Sequence, residues 1–438
     1  MPEMDRLKRL SMPLLLAGTV VAGAWFFWPR PVAQPAGGLD PAAFIAALNT
    51  EAEGFAPVGQ DWDFVFPRDQ GPHPQYRTEV WDLSGQMVDD TGRRYGLRLS
   101  FLRIGLSAPS IERSSGLAAN NLLLARFALA AEGGEEVITS QRVSRAAAGL
   151  AGAKVSPARV WLEDWSLEQG ADPGTDPNLA QSLRLQARLD DLRLTLVLKP
   201  HKPVVTQSEA RLFEGAGGGE GRGFHFYLQP RLSAEGRLTL GAGLESKAGV
   251  GKGSEVSLGS NAGTDAGAIA VRAHQGRAVT GSVWLERAWG AVPGTFAGGR
   301  GQLALNRFAL QLDDDSELMC VHLRRRAGGG TPVPTCLAIA QDGTTRLLQR
   351  RELTLEPTGG DWTNPADGVE YPLQWRLRLP ALGLDLALRP LLANQPMELG
   401  LGEPAWSGTV TLSGSRDGNA VGGSGRMDLN GYAASPEI

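Results

Sequence analysis

The sequence predicts an all-β protein of antiparallel strands, arranged as two tandem barrels or sandwiches behind an N-terminal membrane segment. Apolar and polar residues alternate with a period of two in many short runs, as half-buried strands require. Glycine accounts for 57 of the 438 residues, against roughly 7% on average, and it falls between these runs, as tight turns require. The one short helix expected covers residues 40–48, where Asp40 is the cap and Pro41 the first helical residue.

Hairpin patterns support each barrel in turn. In the first half, Leu183–Leu189 alternates, turns at Asp190-Asp191 and returns over Leu192–Leu198. The second half has three similar patterns, at residues 307–312 with 317–323, at 374–379 before a turn at 380–383, and at 408–412 with 425–429. Strands with one apolar face need a partner face, and a barrel or sandwich supplies it while hiding the strand edges.

The chain is too long for one ordinary core, so we expect two folded domains. The predicted bounds are 1–38 for a membrane anchor or signal segment with its linker, 39–232 for the first β domain and 233–438 for the second. Residues 241–266 are rich in Gly, Ser and Ala and are predicted to be a flexible insertion in the second domain.

The N-terminus predicts the compartment. Basic residues at Arg6, Lys8 and Arg9 precede an apolar run over residues 12–28 that ends in aromatic side chains. This pattern is typical of a single-pass anchor in the cell inner membrane, with the main body in the periplasm. A cleaved signal peptide that delivers the chain to the periplasm is the alternative.

The two cysteines, Cys320 and Cys336, flank a Gly-rich turn centred on Gly328. A hairpin there would place the sulfurs opposite each other, and an oxidising compartment would allow a disulfide. Two buried free thiols are the alternative.

Charge and motif content exclude several function classes. The net charge is −4 without a long block of one sign, which argues against a nucleic-acid partner because phosphate neutralisation needs a basic face. The sequence has no Ser/His/Asp arrangement, metal-ligand cluster or phosphate-binding loop. We therefore expect neither a metal nor a cofactor.

Two stretches, Phe66–Trp81 and Trp284–Gly290, concentrate Trp, Tyr, charged residues and turn formers. Amphipathic rings and paired charges need each other when they leave water, so these stretches predict a polar-aromatic pocket in a β scaffold. The alternative is that the rings fill a core and the charges line its rim.

These stretches resemble the carotenoid 1,2-hydratase (hydroxyneurosporene synthase) and AttH-like family. Further family motifs follow in the family's order, and the resemblance spans about residues 60–432: Gly92-Arg-Arg-Tyr-Gly96, Phe127-Ala-Leu129, Asp164-Trp165, Tyr227-x-x-Pro-Arg231, Leu310-Gln-Leu-Asp-Asp314, Glu317-Leu-Met319 and Gly431-Tyr432. The resemblance implies two tandem lipocalin-like barrels, in agreement with the strand patterns. Several positions depart from the family pattern, including Glu286 in place of Asp and Arg126 in place of His.

In hydratases of this family, a His-x-aromatic pair and an aromatic-x-carboxylate pair are the expected acid machinery. The matching positions are His225 with Tyr227 and Trp284 with Glu286. Strand alternation puts the members of each pair on one face. A carboxylic acid whose pKa is raised by an apolar interior could protonate an alkene, and aromatic faces could shelter the resulting cation.

The same residues have structural interpretations. His225 could brace a turn, Glu286 could pair with an arginine, and Arg77 could pair with Glu79. If the pocket binds a ligand instead, the candidate contact residues are His73, Arg77, Glu79, Trp81, Arg126 and Trp289.

Three functions compete. The first is a membrane-tethered periplasmic binding protein for a lipid or isoprenoid, which the resemblance further implies to be accessory to an ABC transporter permease. The second is a carotenoid or isoprenoid 1,2-hydratase. The third is a structural envelope protein with solid barrels. The membrane segment and the altered pocket positions favour the first.

Overall fold

The structure is a computed structural model that describes residues 54–58, 62–107, 120–170, 180–206, 224–247, 276–290, 303–326, 333–398 and 404–433. Over these residues the chain is all-β, which confirms that part of the predicted fold class. Its strands form two antiparallel sheets. The first sheet curves into a nearly closed barrel, whereas the second remains a half-barrel.

The first sheet has twelve strands. In chain order they are β1 (Thr78–Asp89), β2 (Arg94–Gly105), β3 (Asn121–Ala131), β4 (Ile138–Arg145), β5 (Ala151–Lys154), β6 (Arg159–Leu162), β7 (Trp165–Gln169), β8 (Leu183–Leu189), β9 (Leu192–Pro200), β10 (Val205–Thr206), β11 (Phe224–Thr239) and β12 (Arg277–Gly290). Across the sheet the order is β4-β3-β2-β1-β12-β11-β9-β8-β7-β6-β5, and β10 pairs with β11. A 3₁₀ turn at Arg68–Gln70 precedes β1, and the short helix α1 (Ala242–Lys247) follows β11.

The second sheet has ten strands. They are β13 (Leu303–Leu312), β14 (Glu317–Arg325), β15 (Val333–Ile339), β16 (Thr345–Gln349), β17 (Thr354–Thr363), β18 (Glu370–Leu379), β19 (Leu384–Pro390), β20 (Pro396–Glu398), β21 (Pro404–Arg416) and β22 (Asn419–Asn430). The order is β16-β15-β14-β13-β22-β21-β19-β18-β17, with β20 on β21 and a 3₁₀ turn at Pro380–Leu382 between β18 and β19.

The predicted hairpins are confirmed. β8 and β9 pair around Asp190, whose positive φ of 38° fits a tight two-residue turn. β13 and β14, β18 and β19, and β21 and β22 pair in the same way. In β8 buried and exposed residues alternate strictly, so the period of two predicted from the sequence is the burial pattern of the strand.

The division between the sheets differs from the predicted junction at residues 232/233. That position lies inside β11, which runs unbroken from Phe224 to Thr239. β12 then pairs with both β1 and β11, so it belongs to the first sheet although it lies 45 or more residues beyond the predicted boundary. The change of sheet takes place between β12 and β13. The sequence could not show this, because pairing of β12 with β1 is a long-range contact.

Several predicted segments lie outside the described residues. They include the apolar run at 12–28, the linker up to residue 38, the helix at 40–48 and most of the insertion at 241–266. Within the described part of the chain, no helix has the length and apolar character needed to cross a membrane.

Each sheet encloses its own apolar core, and a third apolar cluster joins them. The barrel interior holds side chains such as Leu83, Phe101 and Leu196. The half-barrel holds Phe308, Leu386 and others. Between the sheets, residues of β11 and β12 pack against residues of β13, β14 and β15: Phe226, Leu228, Trp284 and Ala288 from the first sheet, and Ala309, Met319, Val321, Leu337 and Ile339 from the second.

Polar contacts also fasten the sheets together. The buried carboxylate of Glu317 accepts from Lys202 Nζ at 2.8 Å and from Arg231 Nε at 2.5 Å. Arg231 and Glu317 belong to two of the family motifs, so those motifs meet at this joint. Gly96 of another motif faces Thr409 of β21, and a Cβ at Gly96 would collide with that side chain. These motif residues therefore serve the packing of one sheet on the other.

Cys320 and Cys336 are directly paired on β14 and β15, with their Cα atoms 4.0 Å apart, and they form a disulfide. Both side chains are fully buried in the half-barrel core.

Reduction of this disulfide is expected to lower the free energy of unfolding by about 3 kcal/mol, because the bond closes a short loop in the unfolded chain. Denaturant unfolding of the wild-type protein with and without dithiothreitol measures this difference. The Cys320→Ala/Cys336→Ala variant is the control and should not respond to the reductant. Equal stability of oxidised and reduced wild-type protein would contradict the prediction.

Candidate functional site

A polar-aromatic cluster occupies one end of the barrel. Residues 62–77 lie against the inner face of β1, β11 and β12, and their rings contact Tyr227 and Trp289. Phe66 meets Tyr227 edge-on at 5.2 Å between ring centroids, and Trp62 meets Trp289 at 5.6 Å. The two concentrated sequence stretches meet where His73 of the first stacks on Trp289 of the second.

Strand register places the site residues in two rows on the inner face of the barrel. The first row crosses four strands and consists of Arg103, Glu79, Trp289 and His225. The second row lies one pleat away and consists of Phe101, Trp81, Arg287 and Tyr227. Alternation along each strand gives all eight side chains the same side of the sheet.

Glu79 is the centre of a buried ion network. Its side chain is fully buried; Arg287 Nη2 lies 2.9 Å from Oε1 and Arg103 Nε lies 3.2 Å from Oε2. The backbone N–H of His73 also donates to this carboxylate, at 3.1 and 3.2 Å. Arg77, the predicted partner of Glu79, precedes β1 and is half-buried. Arg103 and Arg287 both form ion pairs with Glu79.

His73 bridges two carboxylates. Its Nδ1 lies 2.9 Å from Glu79 and its Nε2 lies 3.1 Å from Asp69. The ring also stacks on Trp289, with centroids 3.7 Å apart and planes 8° from parallel. Both flanking carboxylates accept hydrogen bonds only, so both contacts are hydrogen bonds when both ring nitrogens carry a proton.

The two carboxyl groups are held ionised. Burial alone would raise the pKa of Glu79, but Arg287 and His73 overcome it, so the pKa lies well below its usual range. Burial likewise opposes ionisation of Asp69, but hydrogen bonds from His73 and Arg68 hold its pKa well below the ordinary value. These groups therefore fix the site electrostatically and are poor proton donors near neutral pH.

His225 is a neutral imidazole in an aromatic setting. Burial, aided by the nearby His73, lowers the pKa of His225 to about 4. Its Nε2 lies 3.4 Å from the hydroxyl of Tyr76, and its ring lies 4.9 Å from that of Trp62. Its Nδ1 has no hydrogen-bond partner among the described residues.

His225 is one of five side chains that leave buried polar atoms unpartnered on this face. Within the described part of the chain, the atoms without a hydrogen bond are His225 Nδ1, Tyr227 Oη, Gln229 Oε1 and Nε2, Arg287 Nε and Trp289 Nε1. All five side chains are at most 1% exposed. They lie at alternate positions of two paired strands, β11 and β12. We call this group the β11–β12 site.

The β11–β12 site offers hydrogen bonds of both kinds. Trp289 and Arg287 contribute N–H donors, Tyr227 a hydroxyl and Gln229 a complete amide. Burial raises the pKa of Tyr227 to about 12, so its hydroxyl stays protonated at neutral pH. Leaving such groups dry and unpaired costs about 1–3 kcal/mol each. Their concentration on one face points to a polar group that completes them.

Trp284 and Glu286, the predicted partners of His225 and Tyr227, lie on the opposite face of β12. There Trp284 belongs to the apolar cluster between the sheets, while Glu286 pairs with Arg307 of β13. The structure therefore separates the two predicted pairs, because even and odd positions of one strand point to opposite sides of the sheet. Burial raises the pKa of Glu286, although the nearby positive charge of Arg307 opposes this shift.

Glu286 lies beside a buried charge cluster that links the sheets. Asp82 of β1 accepts a hydrogen bond from Arg426 Nη1 at 2.8 Å. Asp428 accepts one from Arg307 Nη2, also at 2.8 Å. Burial would raise the pKa values of Asp82 and Asp428, but the surrounding guanidinium groups hold both well below the ordinary value. This cluster was not predicted, because its members come from strands far apart in sequence.

The other two predicted contact residues, Trp81 and Arg126, lie on opposite faces of the first sheet. Trp81 faces the barrel interior, where the guanidinium of Arg287 lies 4.0 Å from its ring centroid. Arg126 of β3 faces outward and donates to Gln141 at 2.7 Å. Of the residues predicted for a pocket, the structure thus brings together His73, Glu79, Trp81, His225, Tyr227 and Trp289.

Four site residues were missed at the sequence level: Asp69, Arg103, Gln229 and Arg287. The sequence pattern could have predicted Gln229, since it continues the alternate positions of His225 and Tyr227 along β11. It could not have predicted Arg103, because the role of Arg103 depends on the pairing of β2 with β1. In the described ranges, no three His, Cys, Asp or Glu side chains are grouped so as to hold a metal ion.

Replacing Glu79 with Gln is expected to lower the free energy of unfolding by about 3–5 kcal/mol at pH 7, because two buried guanidinium groups lose their counter-charge. The folded-state pKa of Glu79 lies below the unfolded value of roughly 4.3, so its contribution is present above that pH and is lost as the pH falls. Denaturant unfolding between pH 3 and pH 7 should show a weaker pH dependence for the variant.

Glu356→Gln is the matched control for Glu79→Gln, since Glu356 forms a mostly exposed pair with Arg378 at 3.2 Å. Its effect should stay below about 1 kcal/mol. Equal losses for the two variants would contradict the central place given to Glu79.

Comparison with known proteins agrees with this fold. The AttH-like family model matches residues 57–251 and 262–432. An AttH protein structure from Nitrosomonas europaea is 24% identical, covers 87% of this chain and all of its own, and superposes with a TM-score of 0.64. Kievitone hydratase from Nectria haematococca is 14% identical, covers 87% and 97% of the two chains, and gives a TM-score of 0.53. No curated protein sequence matches. The family model covers most of the chain, and the chain therefore belongs to the AttH-like family.

Proposed function

We propose that this protein binds a small, mainly apolar molecule with one hydrogen-bonding end group, and that the end group lies in the β11–β12 site. The observation that carries the proposal is the set of buried polar atoms on His225, Tyr227, Gln229, Arg287 and Trp289 that have no hydrogen-bond partner among the described residues. A ligand oxygen that accepts from Trp289 and donates to Gln229 would remove the cost of leaving both unpaired.

The surroundings favour a hydrophobic body for the ligand. Aromatic rings from residues 62–77 cover the site, and the leucine-rich barrel core continues below Gln229. Ligand sites in proteins place a few polar groups among apolar walls, so that the polar groups fix orientation while the walls bind the rest. A lipid or isoprenoid with a hydroxyl or carbonyl end has the matching chemistry.

Binding is favoured over catalysis at this site because its acidic groups are poor proton donors near neutral pH. Hydration of an isolated alkene needs a strong proton donor aimed at carbon. Asp69 and Glu79 are held ionised by their cationic partners, and His225 is neutral with a pKa of about 4. Tyr227 is a weaker acid than usual, since burial raises its pKa.

A carotenoid or isoprenoid 1,2-hydratase is the second candidate, and Glu286 is the observation that favours it. Burial raises the pKa of Glu286, and its Oε1 lacks a partner among the described residues, as does Nε1 of Trp284. A protonated Glu286 could donate its proton to an alkene, water would capture the tertiary cation, and the carboxylate would take the proton that water releases. The fold is shared with kievitone hydratase.

We place the protein in the periplasm beside the inner membrane. The basic and apolar N-terminal sequence at residues 12–28 supports a tether or a signal segment, and the Cys320–Cys336 disulfide fits an oxidising compartment. An ABC transporter permease is the proposed partner, on the strength of the family resemblance.

Farnesol, an isoprenoid alcohol, is a suitable probe for the binding proposal. In Gln229→Leu its affinity should fall about tenfold, whereas the free energy of unfolding should stay equal or rise, because the lost amide has no partner within the described part of the chain. Tryptophan fluorescence titration and denaturant unfolding measure the two quantities.

Gln311→Leu is the matched control, since Gln311 donates to the Pro230 carbonyl at 2.7 Å. It should lower stability and leave farnesol affinity unchanged. If Gln229→Leu behaves like Gln311→Leu, or if the wild-type protein does not bind farnesol, the binding proposal is wrong.

Incubation with lycopene tests the hydratase. If that candidate is correct, mass spectrometry will detect a product heavier by one water, and Glu286→Gln will reduce its rate by about 10²–10⁴-fold. Glu356→Gln should retain the full rate. Absence of the product, or a rate that Glu286→Gln leaves intact, rules the hydratase out.

A further inference from the structure

We infer that the half-barrel carries a second ligand site, for a planar neutral molecule bearing a hydroxyl group. The site consists of Asn306, His322, Tyr371, Trp375 and Tyr432, with Trp362 at its edge, and we call it the Tyr371 cluster. None of these residues belongs to the β11–β12 site, so the inference is independent of the function proposed for the barrel.

The members of the Tyr371 cluster form one continuous chain of contacts. The ring of His322 lies 5.5 Å from that of Trp375, and its Nδ1 lies 3.5 Å from Asn306 Nδ2. Asn306 Nδ2 also donates to the hydroxyl of Tyr432 at 2.9 Å. The Tyr432 ring then lies 5.4 Å from the Tyr371 ring.

Strand register explains why these residues meet. Asn306 pairs directly with His322 across β13 and β14, and the next inward pair is Phe308 with Cys320. Both pairs face the half-barrel interior. Tyr371 and Trp375 lie at alternate inward positions of β18, together with buried leucines. Polar residues thus interrupt an otherwise apolar inner face at one level of the half-barrel.

Two polar atoms at this level have no hydrogen-bond partner within the described residues. They are Asn306 Oδ1 and the hydroxyl of Tyr371, and both side chains are fully buried. Turning the Asn306 amide over exchanges its oxygen and nitrogen. In either orientation, one of these two amide atoms has no partner among the described residues. Each such atom carries a desolvation cost that a ligand group can remove.

The cluster is uncharged at its centre. Burial, with a smaller effect from Arg324, lowers the pKa of His322 to about 4, so this imidazole is neutral near pH 7. Arg324 itself lies over the Tyr432 ring at 3.8 Å and donates to the Asn430 carbonyl. A carboxylate does not occur among the cluster residues, and a neutral ligand therefore fits better than a cation.

A hydroxyl on an aromatic ring matches both unpartnered atoms. Such a hydroxyl can donate to Asn306 Oδ1 or accept from the Tyr371 hydroxyl, while its ring packs against the surrounding aromatic side chains. Trp362 and Tyr432 are half-buried rather than fully buried, so the cluster meets solvent on that side. The ligand class inferred is therefore a phenol.

The five tyrosines of the chain allow a direct test. Tyr371 and Tyr432 report on this cluster, and Tyr76 and Tyr227 report on the barrel site. Tyr95 is the control, since it is buried and donates to Asp89 at 3.0 Å. Incorporation of 3-fluorotyrosine gives one ¹⁹F resonance for each, assigned with single Tyr→Phe variants.

Addition of 2-naphthol to the labelled full-length protein should shift the resonances of Tyr371 and Tyr432 and leave that of Tyr95 in place. If only Tyr76 and Tyr227 respond, the inference is wrong while the barrel proposal stands. If none responds up to the solubility limit of 2-naphthol, the inference is also wrong. A response of Tyr371 and Tyr432 alone supports it independently of the barrel.

Tyr371→Phe tests the hydroxyl itself. The affinity for 2-naphthol, followed at Tyr432, should fall about tenfold, whereas the affinity for naphthalene should not change. The fold should be unaffected, because the hydroxyl removed makes no hydrogen bond to any residue that the structure describes. Tyr95→Phe should leave both affinities unchanged. An unchanged 2-naphthol affinity in Tyr371→Phe would overturn the inference.

Discussion

One buried carboxylate, that of Glu79, determines the arrangement of the barrel site. A charge in that position is tolerated only because Arg103, Arg287 and the His73 backbone surround it. Those contacts in turn hold the His73 ring against Trp289 and the Arg287 guanidinium over Trp81. The polar side chains of β11 face this fixed assembly. Arg287 Nε of this network and neighbouring atoms of His225, Tyr227 and Gln229 have no hydrogen-bond partner among the described residues.

The two faces of strand β12 lie in different environments. Its odd positions, such as Arg287 and Trp289, line the barrel, and its even positions, such as Trp284 and Glu286, line the junction with the second sheet. The same local sequence thus supplies both the polar inner surface of the barrel and a buried charged interface. In the junction, Asp82 and Asp428 pair with guanidinium groups from both sheets, which ties the orientation of the half-barrel to that of the barrel.

Much of the fold could be predicted from sequence, because alternation is a local property. The β8–β9 hairpin and the shared face of His225 and Tyr227 follow from a period of two alone. The sheet boundary could not be predicted, because β12 joins the first sheet through pairing with β1, almost two hundred residues earlier. The same limit applies to the site. Trp284 and Glu286 were correctly placed together, but which face of β12 looks into the barrel depends on which strands close around it.

The claim that the β11–β12 site binds a polar end group is tested most directly at the Trp289 indole. In ¹⁵N-labelled protein, its Nε1–H resonance, assigned with Trp289→Phe, should move downfield when farnesol is added, because the donor gains an acceptor. The indoles of Trp165 and Trp406 already donate to backbone carbonyls at 2.8 and 2.7 Å and should stay in place. Farnesol binding that leaves the Trp289 resonance unmoved would contradict the account.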